Sequence, residues 1–464
     1  MSSAVSDNAG AATYLDALGP DGAYRTRNRE VINDTAGVPV AELSMVPRLY
    51  VTRCVSAQRK LRPLPAPQRE AALGHAAEIF ATASIDGLDF DAYVGLTCRV
   101  SGVPMTATRA GARNVVDSVA TAFDAVNPAR PEGASLDWRD ARNGGAAVWT
   151  RRGDVFAVHA PGNAPGVHGL WTQALALGYR VAIRPSRREP FTAHRLVRAL
   201  RQAGFRPEDA VFLPTDYAGA DEILRAADLA MVYGGRDVVD KYADDPTVLT
   251  NGPGRTKILI TAEQDWHDYL EVIVDSICGL GGMACVNTTA VLYEGDAVPL
   301  ARAIGERLAT IAPLPNVDER AVLPTTPIDN ARSIAGYLEA KAAGTVAVLG
   351  ADQVVADLGD GYAALRPAVH LLSTPDPEIL NIELPFPCAW VSPWSRGDGL
   401  APLRHSLVIN AITSDEDLID ELVGEPTVSN VYSGHYPTYY AAPGIPHDGF
   451  LADFLMRNKG FIRD

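Results

Sequence analysis

Cys278-Gly279-Leu280-Gly281-Gly282-Met283-Ala284-Cys285-Val286-Asn287-Thr288-Thr289 is a glycine-rich turn that ends beyond a thiol. Apolar residues at helical spacing precede it (Leu270, Val272, Ile273, Ile277), and the β-branched run of residues 288–293 follows. Glycines let the backbone fold tightly and leave room for a substrate to approach the sulfur. A thiol buried for packing needs no such clearance, so the pattern marks a candidate nucleophile. Of the two cysteines, Cys278 belongs to the apolar helical stretch, where a small buried hydrophobe is the ordinary reading. Cys285 lies past the glycines, with the access that a reactive thiolate needs.

Outward from this turn the chain alternates strands and helices. Residues 155–160 (Val-Phe-Ala-Val-His-Ala) read as a strand, followed by the turn Pro161-Gly162-Asn163-Ala164-Pro165 and a helix over 167–177 that stops at Gly178. Further strands are expected at 180–183, 210–213, 229–233, 257–260, 288–293 and 345–349, with helices such as 191–203 and 265–277 between them. Strands separated by ~10–15-residue helical patterns indicate β-α-β units and a parallel sheet, so the fold class is α/β. Ligands of such sheets bind beyond the carboxyl ends of the strands. Asn163, the segment Arg184-Pro185-Ser186-Arg187-Arg188, and Gly234-Gly235 all fall there. Residues 1–150 read as mostly helical, with patterns at 67–83 and 106–126. Residues 401–464 hold a strand at 406–409, a helix near 415–422 and an irregular end rich in Tyr, Pro and Gly.

The totals narrow the function. A chain of 464 residues implies more than one domain. A 47% hydrophobic and 21% charged composition is that of a globular protein, and no apolar run reaches the ~18 residues of a membrane span. The first residues carry neither a basic stretch nor a hydrophobic block. Five cysteines, widely spaced, give neither a disulfide framework nor metal-ligand spacing. A reduced, cytoplasmic protein without a metal is the expectation. The net charge of −15 argues against a nucleic acid or anionic membrane partner.

Taken in order, the strand with Pro161-Gly162-Asn163-Ala164-Pro165, then Ile183-Arg184-Pro185-Ser186, then Tyr233-Gly234-Gly235-Arg236, then the cysteine turn, then Glu383-x-x-x-Pro387 resembles the aldehyde dehydrogenase superfamily over about 150–390. The resemblance implies a Rossmann-type dinucleotide-binding domain at 151–256 and an α/β catalytic domain at 257–425. The helical region 1–150 would pack on the cofactor domain, and 426–464 would form a return segment. It places Cys285 at the family's nucleophile. It places Asn163 at the asparagine whose side-chain amide, with the Cys285 N–H, holds the oxyanion; losing such a donor costs ~10²–10³ in rate. Arg184 takes the place of a lysine that contacts the adenosine ribose, with Ser186 beside it on the cofactor side. Arg187 stands where NAD-preferring members often carry glutamate. A guanidinium there grips a 2′-phosphate as a forked pair, so NADPH is expected over NADH. Gly234 and Gly235 fit a loop passing close to the cofactor, and Glu383 fits the contact to the nicotinamide ribose. Pro385 replaces an aromatic residue that many relatives hold near the nicotinamide, and Phe386 is expected to take that role, displaced by one.

One departure bears on mechanism. Hydrolytic members carry a Glu-Leu-Gly-Gly segment whose glutamate activates water. Here the corresponding stretch is Asn251-Gly252-Pro253-Gly254, without a carboxylate. General base catalysis contributes ~10²–10⁴-fold, so an acyl-cysteine here should resist hydrolysis. The acylating branch and the long-chain acyl-CoA reductases share this departure, and the chain also resembles them at Glu383-Leu384-Pro385-Phe386-Pro387-Cys388 and Tyr436-Pro437. The reading is NADPH-dependent reduction of an acyl thioester, from acyl-CoA or acyl carrier protein, to an aldehyde through an acyl-cysteine. The alternatives are a hydrolytic NAD(P)-dependent aldehyde dehydrogenase and a non-catalytic assembly protein of the same fold. Relatives are commonly dimers or tetramers, which implies a homo-oligomer.

Overall fold

Val155–His159, Arg180–Arg184, Ala210–Phe212 and Leu229–Tyr233 are buried along almost their whole length, as parallel strands covered on both faces must be. In the computed structural model, which describes residues 13–140, 145–442 and 444–463, they form the middle of a seven-stranded sheet. Its order is Val248–Asn251, Leu229–Tyr233, Val155–His159, Arg180–Arg184, Ala210–Phe212, Ala17–Gly19, Gly22–Tyr24. The first five run parallel and the last two antiparallel. Alternate side chains feed opposite faces. Phe156, Val158, Val181, Ile183 and Phe212 enter the large core under the helices Ala66–Thr82, Met105–Ala120 and Phe191–Gln202. Val155, Ala157, Ala182 and Val211 pack on the opposite face, with Val51 and Val55 of the helix Arg48–Arg59.

The second seven-stranded sheet has the order Val346–Leu349, Ala368–Leu371, Cys388–Pro393, Thr288–Tyr293, Thr256–Ile260, Ser406–Ile412, Val428–Ser433. All pairs are parallel except the first. Leu259, Leu292, Trp390 and Ile409 face one core, and Ile258, Ile260, Val291 and Ile412 the other. The α/β class, with two largely parallel sheets, is as the alternation of strands and helices implied. No helix of the described residues is long and apolar enough to cross a membrane.

Two regions differ from expectation. Residues 13–44 are five short strands rather than helix. Two extend the first sheet, while Thr13–Leu15, Pro39–Ser44 and Arg29–Asn33 form a small sheet of their own. Strands of three to six residues with mixed burial leave too few repeats for a period to be read. The C-terminal stretch is also less irregular than its composition suggests. Val428–Ser433 joins the edge of the second sheet, and Met456–Phe461 pairs antiparallel with Ala146–Arg151.

The two large sheets are joined by a short crossover. Asn251 ends the edge strand of the first, and Thr256 begins a central strand of the second. The cysteine turn lies on this crossover with no slack. A methyl group built on Gly254 would sit 1.7 Å from the Cys285 carbonyl oxygen, and the Thr256 hydroxyl donates to that same oxygen at 2.9 Å. Beside it, the Lys257 ammonium is fully buried and donates to the Arg255 carbonyl, Asn381 Oδ1 and Ser406 Oγ at 2.8–2.9 Å. Burial, reinforced by the Arg255 charge, pulls its pKa down to about 7.

Two stability effects follow from this junction. Gly254→Ala should cost ~1–3 kcal/mol, the usual scale of overpacking against atoms that cannot yield, read as a lower urea midpoint. Because the unfolded Lys257 keeps its proton up to about pH 10.5 and the folded one releases it near 7, folding gains stability as pH rises across that window. The urea stability of the wild type relative to Lys257→Met should therefore rise between pH 7 and pH 10. A pH-independent difference would contradict this account.

Candidate active site

The turn before Cys285 is built from left-handed backbone. Leu280, Gly281 and Gly282 have φ of 55°, 78° and 64°, a run in which glycine is at ease and leucine is held at a cost of ~1–2 kcal/mol. At Gly282 a methyl group would meet the Pro387 nitrogen at 2.5 Å, so the 383–387 segment is packed directly on the turn. Asn287 ties the far side. Its Oδ1 accepts from the Ala284 N–H at 2.9 Å, and its Nδ2 donates to the Ser276 and Gly279 carbonyls at 3.1 and 2.7 Å. The helix Leu270–Cys278 thus feeds a rigid loop that presents a half-buried Cys285.

The other thiols have no such setting. Burial, reinforced by the Asp275 carboxylate, pushes the Cys278 thiol up to about 11. Cys54, Cys98 and Cys388 are buried, and burial pushes each up to about 12.

Asn163 follows the strand Val155–His159 and reaches the cysteine turn from the first sheet. Its Nδ2 donates to the Met283 carbonyl at 3.2 Å, two residues before Cys285, and its Oδ1 is buried without a partner. One amide hydrogen is committed to Met283; the second remains for an incoming oxygen. Glu383 lies on the other side of the turn. Its carboxylate accepts the Arg255 N–H at 3.1 Å, and burial raises its pKa. Phe386 departs from expectation. It is 1% exposed and packed in the core with Leu384 and Trp390, so it does not stand in for the missing aromatic residue.

Asn251 ends its strand at the head of the crossover whose Gly254 packs on the Cys285 carbonyl. Its side-chain Nδ2 is buried without a partner, and its carbonyl accepts the Gly234 N–H at 3.1 Å. That bond fastens the Gly234-Gly235 loop to the crossover. Next to Asn251 a cavity of about 180 Å³ is lined by Leu170, Leu249, Phe450 and Phe454 together with the carboxylates Asp448 and Asp453.

A residue not singled out from sequence completes the centre. The His447 Nε2 lies 3.4 Å from the Cys285 sulfur, and its Nδ1 lies 3.5 Å from an oxygen of Asp448. The side chain of Asn430, on the edge strand Val428–Ser433, donates to the His447 carbonyl and to that of Leu407, anchoring the loop on the second sheet. Tyr233 faces the same cluster, its hydroxyl kept protonated by burial and by the nearby Cys285 and Asp448.

The remaining candidates form a second group, away from the sulfur, at the carboxyl end of the first sheet. Ser186 is packed against the Asn163 turn, its Oγ 2.3 Å from a methyl group built on Gly162, and it accepts the Arg188 N–H at 3.1 Å. Arg184 and Arg187 lie over the ring of Tyr217 at 5.9 and 5.6 Å, and that ring is 78% exposed. Arg187 also pairs with Glu30 at 3.2 Å, whereas Arg188 turns away to the Ser101 carbonyl. The His159 Nε2 and Arg184 Nε are buried here without partners. Unpaired buried polar atoms at strand ends are costly unless a ligand completes them, so this groove fits a dinucleotide.

The sequence profile of the aldehyde dehydrogenase family matches residues 24–399. A long-chain acyl-protein thioester reductase of Aliivibrio fischeri is 26% identical over 174 residues, 33% of this chain and 36% of that protein, so the match spans about a third of the relative's length. Among solved structures, an aldehyde dehydrogenase of Physcomitrella patens bound to its product succinate superposes with a TM-score of 0.81 at 14% identity, covering 97% of this chain and 98% of that one. A variant of the indole-3-acetaldehyde dehydrogenase AldA of P. syringae, in complex with NAD+, gives 0.82 at 14% identity over 97% of both chains. At these identities the likeness is one of fold. The family profile covers most of the chain, and the sheets and cysteine turn follow that family's order: the protein belongs to the aldehyde dehydrogenase family.

Proposed function

We propose that the chain reduces acyl thioesters to aldehydes, with Cys285 as the nucleophile and acyl-CoA or acyl carrier protein as the donor. The observation that carries this reading is an amide at Asn251, at the head of the crossover that packs on the cysteine turn through Gly254, in the stretch where hydrolytic relatives carry a carboxylate. An amide takes no proton from water, and Glu383 is engaged with the Arg255 N–H. In this reading the Cys285 thiolate attacks the thioester carbonyl and the donor thiol departs. The free amide hydrogen of Asn163 and the Cys285 N–H steady the oxyanion, and covalent capture divides a difficult reduction into two easier steps. A nicotinamide cofactor, when bound, supplies the hydride. Arg184, Ser186, Arg187, Gly234, Gly235 and Glu383 would hold it. The two guanidiniums beside Tyr217 support NADPH, with Glu30 as the carboxylate that a 2′-phosphate would displace from Arg187. The cavity next to Asn251 would take the acyl chain. The relative's printed name, an acyl-protein thioester reductase, agrees with the reading. A homo-oligomer is proposed as well, in keeping with the family.

Three results test it. Cys285→Ala should form no aldehyde and no acyl adduct by intact-mass spectrometry with a thioester panel. Wild type given aldehyde and NADP should yield an acyl thioester only when CoA is present; free acid formed without CoA would instead establish the hydrolytic reading. Arg187→Glu should raise the KM for NADPH about tenfold or more over that for NADH, the scale of one lost charge-assisted hydrogen bond.

A further inference from the structure

We infer that His447, beside Asp448, holds the proton of the acyl-transfer step as an imidazolium paired with the Cys285 thiolate, and delivers it to the departing thiol of the donor. The inference rests on the thioester reading above and adds to it a residue that the cysteine turn alone does not supply.

The geometry fits the task. The imidazole touches the reacting sulfur through Nε2, at 3.4 Å, and its buried Nδ1, which makes no hydrogen bond, lies at ion-pair distance, 3.5 Å, from an Asp448 oxygen. A base within reach of a nucleophile, oriented by a third group, is the arrangement that activates thiols and hydroxyls in general. The ring is also 36% exposed, so solvent can restore a proton after turnover. The groups facing it are Cys285 from the glycine turn, Asp448 from its own loop and the Tyr233 hydroxyl from the first sheet. Burial lowers the imidazole pKa, but the Asp448 carboxylate and Cys285 outweigh it and push it up to about 10. At neutral pH His447 therefore holds a proton that it can donate.

The step balances within the protein and donor. With the proton already on His447, the Cys285 thiolate beside it attacks the thioester carbonyl. The new S–C bond forms, the donor's C–S bond breaks, and the donor sulfur leaves with the electron pair. The imidazolium protonates that sulfur, leaving a neutral donor thiol, an acyl-cysteine and a neutral imidazole. Solvent then restores the proton. An alkyl thiol, with a pKa near ~8.5, needs that proton at neutral pH, whereas an aryl thiol departs as a stable thiolate.

The leaving group therefore discriminates. Acylation of Cys285 would be followed by intact-mass spectrometry with S-butyryl pantetheine and with S-phenyl thiobutyrate. His447→Gln should slow both through loss of thiol activation, but should slow the pantetheine ester by a further ~10–10²-fold, within the usual range of general acid catalysis. In wild type, acylation by the pantetheine ester should fall as pH passes about 10, where His447 loses its proton, while the phenyl ester stays flat. Asp448→Asn should move that fall to lower pH. Tryptophan quenching by NADPH checks that the variants are folded. An unchanged pantetheine-to-phenyl rate ratio in His447→Gln would overturn the inference, and so would a wild-type pantetheine rate that stays flat beyond pH 10. If wild-type Cys285 accepts neither ester, the thioester reading itself fails, and the two failures are thereby distinct.

Discussion

The molecule turns on the six-residue crossover from Asn251 to Thr256, which leaves one parallel sheet and enters the other beneath the cysteine turn. Gly254 leaves no space between its own backbone and the carbonyl of Cys285, and Thr256 bonds the same oxygen. The thiol is therefore fixed where the carboxyl end of the first sheet, the end at which such sheets bind ligands, meets the amino end of the second.

Charge is arranged in two separate groups, against an overall charge of −15. At the strand ends of the first sheet, Arg187 pairs with Glu30 while the Arg184 Nε has no partner, which leaves a local surplus of positive charge beside an exposed aromatic ring. At the sulfur the opposite pattern holds: one imidazole lies between the thiol and Asp448, with Tyr233 kept neutral behind them. The first group suits a phosphate, the second a proton. Neither need is visible in the total, which describes the surface as a whole rather than these two places.

Much of this was legible in the residues. Long apolar strands ended by glycine reveal the sheets because burial on both faces demands such runs. The close-packed turn before Cys285 is legible because few residues other than glycine accept three left-handed positions in succession. The order of Asn163, Arg184, Gly234, Cys285 and Glu383 led to the family. His447 and Asp448 were not legible. They lie 162 and 163 residues beyond the cysteine, in a loop of prolines and glycines whose placement depends on Asn430 from an edge strand. No local period marks a residue that matters only through a tertiary contact. Phe386 fails for the converse reason: its position in the motif is right, but the 1% exposure of its ring shows that packing claimed it.

The exposure of His447 sharpens what protects an acyl-cysteine on the proposed reading. With the ring 36% open to solvent, water reaches the neighbourhood of the sulfur, so exclusion of water is not the safeguard. What the crossover lacks is a group able to take a proton from that water. Asn251 cannot, and the His447 imidazole, once solvent has returned its proton beside Asp448, has no lone pair to offer. Hydrolysis of the intermediate requires removal of a proton, whereas release of a donor thiol requires delivery of one. The same Cys285–His447–Asp448 arrangement thus disfavours the first and assists the second, and the bias towards thiols over water comes from which way the proton can move.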